Sequence, residues 1–139
     1  MKLDKIIAIG GKPGLFKLLT QTKSGFVTES LTDGKRLTVN LRNQVSVLSE
    51  ISVFTLEEEK PLTEVFELMR QKEQGNTTSI SHKADKLALE EYFFEVLPNY
   101  DEDRVYPSDI KKIIRWYNIL VDHKLLDTSE DTEQENEEE

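Results

Sequence analysis

The sequence predicts an α+β protein: a small five-stranded β-barrel at the N-terminus, then a three-helix region and a disordered acidic tail. Three observations carry that expectation. Between residues 15 and 54, short segments of β-forming residues recur at intervals of about ten, separated by polar or glycine-containing turns. From residue 62 onward the apolar period changes from two to three and four. Residues 127–139 contain no apolar side chain, and eight of them are acidic.

The elements follow in order. Residues 3–9 (LDKIIAI) read as one or two helical turns, stopped by Gly10-Gly11-Lys12-Pro13-Gly14. Residues 15–22, rich in Leu, Phe and Thr, read as a strand, and Lys23-Ser24-Gly25 as a turn. In 26–31, Phe26, Thr28 and Ser30 alternate with Val27, Glu29 and Leu31. Asp33-Gly34 reads as a two-residue type I′ hairpin, because both residues tolerate positive φ. Residues 36–41 turn Leu37, Val39 and Leu41 inward; residues 45–47 and 51–54 add two further strands. Five short strands are too few for a sandwich, whereas closure into a barrel removes their edges. A short helix followed by five strands is the order of Sm-like barrels, with SH3-like and Tudor-like barrels as close alternatives.

Pro61 fits the first turn of a helix, with Glu57-Glu58-Glu59 placed favourably ahead of it. Leu62, Val65, Phe66 and Met69 carry that helix to about residue 73. Residues 74–81 (QGNTTSIS) are a polar linker. A second helix spans 84–97 on the stripe Leu89, Tyr92, Phe93 and Val96, and Pro98 ends it. The third, over 108–122, takes Ser108 as its N-cap and buries Ile110, Ile113, Ile114, Tyr117, Leu120 and Val121. The chain thus divides into a barrel domain (1–56), a helix and linker (57–81), a helical domain (82–126) and a tail (127–139).

Charge is unevenly distributed along this plan. The net charge is −9, yet residues 1–56 hold eight Lys/Arg against four acids, and residues 57–139 hold ten against 23. A mildly basic front therefore precedes a strongly acidic back. With no cysteine, disulfides and thiol chemistry are excluded. No apolar run is long enough to span a membrane or to serve as a secretory signal, so the expected location is cytoplasmic.

Catalytic and cofactor motifs are missing. Gly10-Gly11-Lys12-Pro13-Gly14 does not fit GxxxxGK[ST], and the loop precedes a strand rather than a helix, so a structural turn is the simpler reading. Asn99, Asp101 and Asp103 imitate the start of a calcium loop, but Arg104 and Ile110 stand where Gly and Glu are required. His82 and His123 lie far apart with no cysteine to complete a zinc site. No GxSxG elbow is present. Neither a cofactor nor a metal is expected, and the chain does not read as an enzyme.

Two basic surfaces remain. Lys12, Lys17, Lys35, Arg36 and Arg42 give the barrel a candidate ligand-binding surface, with Lys23 nearby and Phe16 or Phe26 available for stacking. Lys111, Lys112 and Arg115 on the third helix, beside Trp116, form an alternative nucleic-acid face. Against the first stands the small core's own need for aromatics; against the second, the acidity of the surrounding segment. The acidic tail reads as a solvated segment, with competition for the barrel or docking of a basic partner as alternatives.

With DKIIAIGGKPGLFKLL, GKRLTVNL and PSDIKKIIRWYNIL in view, the chain resembles an uncharacterised two-part family of Bacteroidetes over about residues 1–126. The resemblance implies a cytoplasmic bacterial protein with a small-barrel part and a helical part. It implies no activity, substrate or site residue. The expected function is a non-enzymatic binding or adaptor module with a protein or RNA partner held by the barrel. Homo-oligomerisation is left open and no membrane role is expected; the alternative is a DNA-binding regulator using the third helix.

Overall fold

A computed structural model describes residues 3, 5–12, 14–40 and 44–126. The strands β1 (Ile6–Ile9), β2 (Phe16–Gln21), β3 (Gly25–Ser30), β4 (Arg36–Asn40) and β5 (Val45–Val47) form an antiparallel sheet in the order β4-β3-β2-β1-β5. A 3₁₀ turn, Leu48–Glu50, leads to β6 (Ser52–Val53), which pairs with β7 (Lys60–Pro61). Three helices follow: α1 (Leu62–Lys72), α2 (Lys86–Val96) and α3 (Pro107–Asp122). The expected tail (127–139), Arg42 and Leu41 lie outside the described residues.

The sheet has five strands, but they are not the expected five and it is not a barrel. Residues 6–9, expected as helix, form β1 between β2 and β5. The physical reason is burial on both faces: Ile6 packs with the helices, whereas Ile7 and Ile9 pack on the opposite side. A strand covered on both sides shows a continuous apolar run, which a short sequence does not distinguish from a helical turn. Residues 52–53 leave the sheet for β7 instead of closing it. Among the described residues no ladder joins β4 to β5, so both remain edges.

Curvature makes up for part of the missing closure. Ile7, Ile9, Phe16 and Val39 form one buried cluster, with Leu37, Val45 and Val47 packed against it. In a flat sheet β1 and β4 would stand about 14 Å apart. Their joint burial requires the sheet to curl around this face. The bulge between Leu18 and Thr20 in β2 supplies local bend. Gly25 permits close approach of β3 and β4: a Cβ there would lie 1.9 Å from the Val39 carbonyl oxygen.

Turn chemistry also departs from expectation. Only Gly34, not Asp33, has positive φ, so the β3–β4 connection is not type I′. It is a longer loop in which Gly34 N–H donates to Ser30 O and Ser30 N–H donates to Lys35 O, both at 2.8 Å. Asp33 Oδ1 accepts from Lys35 N–H at 2.9 Å, an Asx-type closure.

The other face of the sheet meets the helices. Leu3, Ile6, Leu15 and Leu48 share one hydrophobic core with Leu62, Val65, Phe66 and Met69 of α1 and with the inner faces of α2 and α3. Those inner faces are the residues that helical periodicity singles out, except that Val121 is only half-buried. Asp85 caps α2 by accepting from Ala88 N–H. α3 starts one residue before the expected cap: Pro107 occupies its first turn, and Asp109 Oδ2 accepts from Tyr106 N–H at 3.0 Å. The segment 74–81 is pinned rather than loose. Tyr117 donates its hydroxyl to Asn76 O at 2.8 Å, and Asn118 Oδ1 accepts from Thr78 N–H at 2.8 Å. Glu73 accepts from both Ser79 N–H and the Tyr92 hydroxyl.

Candidate functional site

The β1–β2 loop and α3 meet at the end of the sheet. Gly10 N–H donates to Gln44 O at 2.7 Å and Lys12 N–H to Ile9 O at 3.1 Å, which folds the loop back toward β5. Gly11 and Gly14 hold φ of 81° and 84°, conformations that L side chains adopt only with strain. A Cβ on Gly14 would meet Thr32 Oγ1 at 3.3 Å and Ile119 of α3 at 3.9 Å, so the loop rests between the β3–β4 turn and the helix.

A cleft of about 340 Å³ opens where they meet. Its walls are the Gly10-Gly11-Lys12 turn and Ser46 of β5 on one side, and Lys112, Arg115 and Trp116 of α3 on the other. Lys112 and Trp116 are four residues apart and share a helix face. The residues at 12, 112 and 115 are exposed and Trp116 is half-buried. Among the described residues, none of Lys12, Lys111, Lys112 and Arg115 forms an ion pair, although the whole chain carries −9.

His82 is held below its ordinary pKa, first by burial and then by the fields of Arg115, Lys83 and Lys111. Arg115 therefore looks both ways, lining the cleft and acting on the His82 side of the helix together with Lys111.

The remaining candidates do not join this cleft. Glu29 pairs in register with Lys17 on one side and Arg36 on the other, so three cross-strand neighbours alternate in charge on one face. That register places Lys17 and Arg36 on the sheet, away from the cleft. Lys35 sits in the β3–β4 turn, and Arg42 lies outside the described residues. Phe16 is buried and offers no stacking surface. Asp101 is committed to Arg104 at 2.8 Å and to Asp103 N–H at 3.0 Å, which holds its carboxyl below the usual range. No metal-binding group of three or more His, Cys, Asp or Glu occurs among the described residues.

Sequence reasoning separated Lys12 from Lys112 and Arg115 as rival surfaces; the fold makes them opposite walls of one cleft. Trp116, the only tryptophan, was legible as a neighbour of those bases, but its place between two cavities was not. The second cavity, about 230 Å³, shares Lys112 and Trp116 with the first and is otherwise largely apolar.

An open, curled antiparallel sheet with three helices packed on one face defines the class of this protein as α+β. Residues 3–48 match the family model of a domain of unknown function (DUF5606), and residues 51–120 that of a second domain of unknown function (DUF6852). The chain belongs to the uncharacterised Bacteroidetes family that joins these two domains. A protein from Bacteroides vulgatus, solved by solution NMR as a structural genomics target, is 45% identical over 89% of each chain, with a TM-score of 0.75. No curated protein matches the chain. Among the described residues, no helix is long and apolar enough to cross a membrane.

Proposed function

We propose that this protein is a non-enzymatic binding module of the bacterial cytoplasm that takes a phosphate-bearing ligand, single-stranded RNA, in the cleft between the β1–β2 loop and α3. One observation carries the reading: Lys12, Lys112 and Arg115, none in an ion pair among the described residues, converge beside the lone Trp in a chain of net charge −9. Cations gathered without counter-charges repel one another, and an anionic ligand relieves that repulsion. Trp116 adds an aromatic face on which a base can stack.

A cleft is also a better fit than a helix in a DNA major groove. The Gly10–Lys12 turn stands against the Lys112 and Arg115 side of α3, where a groove wall would have to come. The acidic surface elsewhere limits non-specific attraction to duplexes and favours a ligand held at one local site.

Fluorescence anisotropy with labelled single-stranded RNA at low salt tests this. Affinity is expected to fall as salt rises, with a log–log slope of about −0.7 for each phosphate neutralised. Replacing Lys112 and Arg115 together by Ala lowers both the affinity and the slope, whereas Arg36→Glu leaves them unchanged. Absence of binding at low salt overturns the reading. So does binding that survives the double replacement.

A further inference from the structure

We infer that the cleft and the apolar cavity beyond Trp116 form a single two-part site for a 5′-phosphorylated nucleoside, with the phosphate among Lys12, Lys112 and Arg115 and the base in the apolar half. The inference rests on the anion-binding reading above and adds the chemistry of the rest of the ligand.

The two cavities are adjoining because Lys112 and Trp116 line both. One half is cationic and glycine-walled. The other is floored by Leu62, Val105 and Ile113 and walled by Val53 and Phe54, and buries no charge of its own. Arg104, Asp109 and Lys112 complete its lining without being buried, so this half suits a flat group with an apolar face and a polar edge. At about 230 Å³ it is smaller than the roughly 300–1,000 Å³ of sites for drug-sized ligands, which fits one ring system.

The rim of the apolar half selects a base over an acyl chain. Asp109 also lines this half; it accepts from Tyr106 N–H through Oδ2, and a carboxylate has acceptor capacity left for an exocyclic amine. Arg104 lies 4.4 Å from the Phe54 ring centroid and bonds Asp101 through Nε, making a stacked wall with donors to spare. An acyl chain would cover these polar groups and pair none of them. A nucleobase meets them with its edge while its face lies on Trp116 or Phe54.

The test is a ¹⁵N NMR titration of the full chain with adenosine 5′-monophosphate, ribose 5-phosphate, adenosine and inorganic phosphate. The nucleotide is expected to bind about tenfold more tightly than ribose 5-phosphate, the fold-change of one base–aromatic stack. It should shift the amides of Gly10 and Gly11, those of residues 51–54 and the Trp116 indole together. Phe54→Ala should bring the nucleotide down to the affinity of ribose 5-phosphate. A short 5′-phosphorylated RNA that binds more tightly than the mononucleotide assigns the ligand as a strand end; equal affinity assigns it as the free nucleotide.

Two results overturn the inference while leaving the anion reading intact. One is equal affinity for the nucleotide and ribose 5-phosphate, with shifts confined to the Gly10–Lys12 turn. The other is equal affinity for the nucleotide with and without Phe54. Adenosine binding as tightly as its monophosphate, or no phosphate compound moving the cleft amides, overturns both.

Discussion

Replacing Gly25 by Ala isolates the close approach of two backbones from the ordinary conformational freedom of glycine. Gly25 opens β3 opposite Asn40, and its φ is not positive, so Ala meets no conformational penalty there. The obstacle is β4 itself. A Cβ would lie 1.9 Å from Val39 O, 2.8 Å from Val39 C and 2.7 Å from Asn40 Cα, all main-chain atoms that no rotamer change can move. Relief requires β4 to retreat by roughly 1 Å, which loosens the β3–β4 ladder and the packing of Val39. Overpacking of about 1–3 kcal/mol, plus about 1 kcal/mol for each weakened hydrogen bond, puts the loss near 3 kcal/mol. For a chain of this size that lowers Tm by roughly 10 °C. Urea unfolding followed by Trp116 fluorescence and by far-UV circular dichroism measures it. Gly11→Ala is the control: its φ is 81° with no atom within 4 Å of a Cβ, so only the left-handed backbone costs, about 1–2 kcal/mol. If Gly25→Ala costs no more than Gly11→Ala, the close-approach reasoning is wrong.

Other consequences follow from the polar groups. Tyr117→Phe removes the hydroxyl that anchors Asn76 O to α3 and is expected to cost about 1 kcal/mol in urea unfolding. A loss under about 0.3 kcal/mol means water replaces the bond fully. Because the folded pKa of His82 lies below 6.5, the unfolded chain takes up the proton first as pH falls. The stabilising contribution is therefore intact above pH 6.5 and is lost as pH drops toward the folded pKa. Phosphate in the cleft offsets the fields of Arg115 and Lys111 and should raise the His82 pKa, readable in the imidazole ¹³C–¹H shift; an unmoved pKa at saturating phosphate contradicts the electrostatic coupling.

What was legible in the sequence was local. Helices α1, α2 and α3 stand where the three-and-four spacing puts them, because each stripe buries against one shared core whatever the arrangement around it. Strands β2, β3 and β4 were readable from β-forming composition and alternation, and β5 from its Val–Ser–Val pattern. Residues 6–9 were not, because a four-residue apolar run satisfies a buried strand and a helical turn equally. The β3–β4 turn was placed correctly but typed wrongly, since Asp33 can close a turn through its side chain as well as through positive φ. Ser108 was a reasonable cap by composition, yet Asp109 reaches back to Tyr106 and starts the helix earlier.

By itself, then, the sequence determined the type of every main element except β1, the apolar faces of the helices, the charge asymmetry and the absence of motif-level catalytic signals. The tertiary structure alone decided that the sheet is open, that β1 stands inside it beside β5, and that residue 12 faces residues 112 and 115. The physical reason is range. Periodicity and capping act over a few residues and are written along the chain. The pairing of Ile7 with Val47 joins residues forty apart, and the convergence of Lys12 with Lys112 joins residues a hundred apart; both are chosen by how apolar faces pack rather than by any local pattern.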